Sequence, residues 1–165
     1  MASESPAKKI KGCATVTYFA GRGLGERVRW CLAAAKIPFE NITLSTREEM
    51  LQLIENGDLQ YNQLPLLQLP GSDLKLVQSK ATCRYIARNY GLDGETPEEA
   101  AKCDMLAEIS LDLQGVVGYP FQSKEKVESW KIQLKETFDK KAPLIERSLE
   151  QDFSLFLLKV DNDQV

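Results

Sequence analysis

The chain has 165 residues, 43% hydrophobic and 27% charged, with a formal net charge of −3. That length suits one large domain or two small ones with a buried core. The sequence contains no histidine, which excludes Ser-His-Asp and Cys-His catalysis and zinc sites that need His.

Residues Ala14 to Phe19 are rich in β-branched and aromatic types and read as a short buried strand. A turn follows at Ala20-Gly21-Arg22-Gly23. Glu26 to Ala35 then reads as a helix, with Val28, Leu32 and Ala35 at helical spacing. Pro38 ends that region, and Phe39 to Leu44 reads as a second strand. Thr46-Arg47-Glu48-Glu49 has the form of a capping box. The helix it opens is expected to stop at Asn56-Gly57. Leu66 to Leu69 and Leu74 to Val77 flank Pro70-Gly71, which predicts a hairpin. Ser79 is expected to cap a helix carrying Ala81, Tyr85 and Ile86, ending near Tyr90-Gly91. The order β-α-β-α-β-β-α is that of a thioredoxin-like mixed sheet with helices on both faces.

After Gly91 the pattern becomes helical. Thr96-Pro97-Glu98-Glu99 is a second capping box, with proline at the first helical position. One helix is expected over Pro97 to Val117. A second is expected over Lys124 to Leu149, with Val127, Trp130, Leu134, Phe138, Ile145 and Leu149 on one stripe. The expected fold is therefore α/β plus all-α. A thioredoxin-like domain over 13–90 precedes a helical domain over 96–165.

The four cysteines, Cys13, Cys31, Cys83 and Cys103, form no C-x-x-C pair. That argues against both dithiol redox chemistry and a disulfide framework. Residues Met1 to Tyr90 carry a net +4, and Gly91 to Val165 a net −7. A mildly basic first half suits a small anionic ligand. No dense basic run is interleaved with aromatics, so nucleic acid is not expected. The longest apolar stretches fall far short of the roughly 20 residues of a membrane span. The polar start lacks the apolar centre of a secretory signal, and the expectation is a cytoplasmic protein.

The stretch Tyr18-Phe19-Ala20-Gly21-Arg22-Gly23, followed by Glu26, Arg29 and Trp30, resembles the first strand and helix of cytosolic glutathione transferases. Asn62-Gln63-Leu64-Pro65, Lys75 to Ala81, and Tyr85-Ile86-Ala87 match the same family in order and spacing. Among the tyrosine-type classes, alpha looks closest. The resemblance covers Ala14 to Leu149.

Taken alone, Tyr18 is an ordinary half-buried strand tyrosine. The resemblance makes it the catalytic residue that holds the glutathione thiolate. A free thiol titrates near ~8.5, and lowering it by two units requires about 2.7 kcal/mol. One hydrogen bond to a charged group supplies roughly 1.5–3 kcal/mol. The resemblance also implies that the Leu64-Pro65 bond is cis. It sets the backbone of Leu64 to pair with the cysteinyl unit of glutathione, with Gln63 beside it. Gln78 and Ser79 stand where a strand meets a helix N-terminus, a place that holds carboxylates. The resemblance assigns them the γ-glutamyl carboxylate. Asp112 is either a solvated helix carboxylate or, by resemblance, a partner for the γ-glutamyl amine across a homodimer. No metal or prosthetic group is implied; glutathione is the co-substrate and a small hydrophobic electrophile the second substrate.

The sequence departs from the family in two places. Leu24 stands where alpha-class members often carry an arginine beside the thiolate. The resemblance also implies a longer, two-domain chain of roughly 200–220 residues. A C-terminally truncated form is the expectation, with Phe153 to Leu158 as an exposed apolar tail. Three functions follow: conjugation of glutathione to electrophiles, non-catalytic binding or a structural role as in lens crystallins, and isomerisation as in prostaglandin synthases.

Overall fold

The computed structural model describes residues 12–117 and 124–150. Four strands form one mixed sheet in the order β2-β1-β3-β4. The strands are β1 (Ala14–Phe19), β2 (Phe39–Leu44), β3 (Leu66–Gln68) and β4 (Lys75–Leu76). β1 runs parallel to β2 and antiparallel to β3, and β3 runs antiparallel to β4. The helices of this unit are α1 (Gly23–Ala34), α2 (Arg47–Glu55) and α3 (Ser79–Tyr90).

Side chains of a strand alternate between faces, and β3 shows the consequence. Leu67 packs with Ala14, Val16, Val28, Leu32 and Ile86, from β1, α1 and α3. Its neighbour Leu66 packs instead with Leu59 and Val77, against Met50, Leu53 and Ile54 of the α2 region. Leu66 and Leu67 are thus buried on opposite faces of the sheet, whereas Glu40 to Thr43 of the edge strand β2 are exposed.

The capping box before α2 forms as expected. Thr46 Oγ1 accepts the Glu49 N–H at 3.3 Å, and the Glu49 carboxylate accepts the N–H groups of Thr46 and Ser45. Replacing Thr46 by Ala leaves a donor of the first turn without its acceptor. It is expected to lower stability by about 1 kcal/mol, read as a reduced urea midpoint. At the other end of the unit, α3 stops at Gly91, whose φ of 67° is left-handed.

The start of α3 departs from expectation. Its N-cap is Gln78, not Ser79, and no side chain caps it. Ser79 is the first helical residue and is buried. The reason lies in the backbone: Gln78 has a φ of 68°, so the chain turns one residue earlier than a serine cap requires.

The chain divides into two compact units between Asp93 and Gly94. In the second, α4 (Pro97–Val117) packs against α5 (Lys124–Ser148). Thr96 Oγ1 accepts the Glu99 N–H at 3.2 Å, while the Glu99 carboxylate accepts the N–H of Glu95. Val127, Trp130, Leu134 and Ile145 are half-buried, whereas Phe138 and Leu149 of the same stripe are exposed. Pro143 lies inside α5, a proline the helical periodicity passes over. The stretch Phe153 to Leu158 lies outside the described residues. Among the described residues, no helix is long and apolar enough to cross a membrane.

Candidate functional site

The first group of candidate residues sits at the turn from β1 into α1. Tyr18 is the fifth residue of β1 and is half-buried. Its hydroxyl accepts the backbone N–H of Leu24 at 3.3 Å. An oxygen that accepts there keeps its own O–H free to donate outward. Accepting a hydrogen bond also polarises that O–H and makes it the better donor.

Two glycines create the room for this ring. A Cβ on Gly23, whose φ is +40°, would stand 2.7 Å from Tyr18 Oη. A Cβ on Gly25 would stand 2.8 Å from the ring carbons nearest the backbone. Gly-Leu-Gly over 23–25 is therefore the packing surface of the tyrosine. The sequence showed both glycines but offered nothing to connect them to Tyr18.

Arg29 holds the same turn from behind. Its Nη2 donates to the carbonyls of Gly21 at 2.9 Å and Arg22 at 3.3 Å, and its Nε to Glu26 at 2.7 Å. Trp30 Nε1 donates to the other Glu26 oxygen at 3.1 Å. The hydrogen bond from Arg29 holds the Glu26 carboxyl below the usual range, with smaller contributions from the charge of Arg29 and from Trp30. The support Glu26 gives is present above its unfolded pKa and is lost as acid titrates it through the lowered one. The sequence motif contains Glu26, Arg29 and Trp30, but their spacing does not reveal that Arg29 grips two carbonyls eight and seven residues back.

The second group lies around the start of β3 and of α3. The Leu64–Pro65 peptide is cis. Leu64 is half-buried, and Pro65 is among the fully buried side chains. Gln78 Nε2 donates to Gln63 Oε1 at 2.7 Å, so two glutamines 15 residues apart meet at the surface. Buried Ser79 follows directly, at the N-terminal turn of α3. No side chain caps that turn, and helix N-terminal turns are places that hold anions in general.

The sheet joins the two groups. Thr17 of β1 pairs with Leu66 of β3 in antiparallel register. Tyr18 follows the one and Pro65 precedes the other, so both stand at the same end of the β1–β3 ladder. Asp112 lies on α4, and its side chain falls outside the described residues. Tyr18 also lines a cavity of about 90 Å³ with Phe19, Gly21, Arg29 and Ile42. That volume is well below the roughly 300–1,000 Å³ of small-molecule pockets, so the cavity is no site for a tripeptide.

Residues 14–88 match the family model for the glutathione S-transferase N-terminal domain. The solved glutathione S-transferase from Ascaris lumbricoides is 33% identical, with a TM-score of 0.68 over 87% of this chain and 70% of its own. The chain belongs to the glutathione S-transferase family. Glutathione S-transferase 3 of Gallus gallus is 38% identical over 141 residues, 82% of this chain and 61% of the relative. The structure of prostaglandin synthase D of Nilaparvata lugens shares 26% identity, with a TM-score of 0.66 over 84% of this chain and 70% of its own. The chain spans less than two thirds of the length of the first curated transferases it matches.

Proposed function

We propose that this chain binds glutathione along the β1–β3 end of its sheet and conjugates the thiolate to electrophilic apolar compounds. Tyr18 is the catalytic residue, and its hydroxyl donates to the thiolate. The backbone at Leu64-Pro65 pairs with the cysteinyl unit. Gln63, Gln78 and Ser79 hold the γ-glutamyl carboxylate at the start of α3. Asp112 meets the amine of a glutathione bound by a second copy, in a homodimer working in the cytoplasm on small electrophiles.

One observation carries this reading above the rest. The Tyr18 hydroxyl already accepts the Leu24 N–H, so its proton is free for a sulfur. The same N–H polarises the Tyr18 O–H and makes it the better donor. Both favour a charged thiol over a neutral one. Retention on immobilised glutathione, together with turnover of an activated aryl halide, tests the proposal. Retention without turnover favours the non-catalytic reading. The likeness to a prostaglandin synthase supports a second reading, in which the same thiolate serves an isomerisation. Turnover of an endoperoxide without conjugation of the aryl halide favours that one.

Arg29 contributes by position. Arg29→Met removes its hold on two turn carbonyls and is expected to slow conjugation roughly 5-fold, about 1 kcal/mol. Steady-state kinetics at saturating glutathione reads this, and Arg29→Lys is expected to recover part of the loss because a lysine reaches one carbonyl but not the fork.

A further inference from the structure

Two cysteines that the glutathione site does not use meet in the seam between α1 and α3. Cys31 and Cys83 are 52 residues apart. Cys31 Sγ donates to the carbonyl of Cys83 at 3.5 Å, and Cys83 Sγ donates to the carbonyl of Arg27, one turn back on α1, at 3.6 Å. Each thiol thus reaches across to the other helix. Both side chains are half-buried at the margin of the core formed by Val28, Leu32 and Ile86.

We propose that Cys31 and Cys83 are a reversible redox site that closes to a disulfide joining α1 to α3 when the chain meets a hydroperoxide. Cys83 is the attacking sulfur. The neighbouring Cys31 thiol and the nearby Arg27 charge hold the Cys83 thiol below its ordinary range. Cys31, beside the Cys83 side chain and partly buried, is pushed up and waits as the thiol. The Cys83 thiolate attacks the distal oxygen of the hydroperoxide. An S–O bond forms, the O–O bond breaks, and the leaving alkoxide or hydroxide takes a proton from water. The Cys31 sulfur then attacks the sulfenyl sulfur of Cys83. An S–S bond forms, the S–O bond breaks, and the departing hydroxide takes the Cys31 proton as water. Two thiols lose two electrons, and the peroxide gains them. Two equivalents of an external thiol reverse the bridge by exchange. The proposal is independent of whether the chain turns over an electrophile.

The test uses the full reduced chain treated with hydrogen peroxide. Remaining thiols are alkylated, and the chain is digested without reductant. The expected result is a linked pair of peptides carrying Cys31 and Cys83. The intact mass falls by about 2 Da, for two hydrogens lost, and dithiothreitol restores it. In Cys31→Ser the reaction is expected to stop at a Cys83 sulfenic acid, trapped as a dimedone adduct. Full alkylation of both residues, at peroxide doses that oxidise exposed Cys13, overturns the proposal. So does a bridge in which Cys13 or Cys103 replaces either partner, or a Cys83 oxidised past sulfenic acid while Cys31 stays a thiol.

Discussion

Replacing Tyr18 by Phe is expected to lower kcat/KM for an activated aryl halide by about 10- to 100-fold, with the fold intact. The magnitude follows from one hydrogen bond to a charged group, roughly 1.5–3 kcal/mol, at about 1.36 kcal/mol per decade of rate. Phenylalanine keeps the ring that packs on Gly23 and Gly25, so the unfolding midpoint changes little. The pH dependence separates the mechanism from a general loss of shape. A thiol lowered by a donor is ionised above its lowered pKa, and removing the donor returns it toward ~8.5. The variant's deficit is therefore largest near pH 6.5 and shrinks as pH rises past ~8.5. A deficit equal at every pH would mean that Tyr18 shapes the site without acting on the sulfur. No deficit at all would remove Tyr18 from the mechanism.

What could be read in advance follows from how local each signal is. β1 and β2 were legible to the residue, because β-branched and aromatic runs bounded by a glycine turn and a proline leave little choice. The capping box at Thr46 is legible because its two partners are three residues apart. The start of α3 was misread by one residue. A serine before a helix is the common cap, but Gln78 adopts a positive φ and spends its side chain on Gln63 instead. Such a pairing spans 15 residues and leaves no periodic trace. The same holds for Arg29 and the carbonyls of Gly21 and Arg22, and more so for Cys31 and Cys83. Those two are brought together only by packing of α1 on α3, a tertiary fact that no spacing rule encodes. The catalytic proposal for Tyr18 rested on resemblance, because a strand tyrosine alone is ordinary. The Leu24 N–H on its hydroxyl supplies a physical ground that the sequence did not contain.

Gly23 offers the sharpest test of that ground. Gly23→Ala asks an L-residue to hold a φ of +40° and sets its Cβ 2.7 Å from Tyr18 Oη, 3.3 Å from Cε1 and 3.4 Å from Cζ. The backbone part costs about 1–2 kcal/mol. The contact with the hydroxyl must also be relieved, and Gly25 already lies against the same edge of the ring nearer the backbone. The hydroxyl therefore moves off the Leu24 N–H, and conjugation is expected to fall about 10- to 100-fold, matching loss of the hydroxyl itself. The double variant separates the two causes. In Tyr18→Phe the Oη atom is gone, so a Cβ at position 23 finds room. Adding Gly23→Ala there is expected to cost little further activity and only the backbone part of the stability loss. The two substitutions are thus strongly non-additive, as expected for residues in contact. Additive losses in kcat/KM would show instead that Gly23 serves the turn through its backbone alone. The hydroxyl would then owe its placement to the Leu24 N–H and Arg29 rather than to the absence of a side chain beside it.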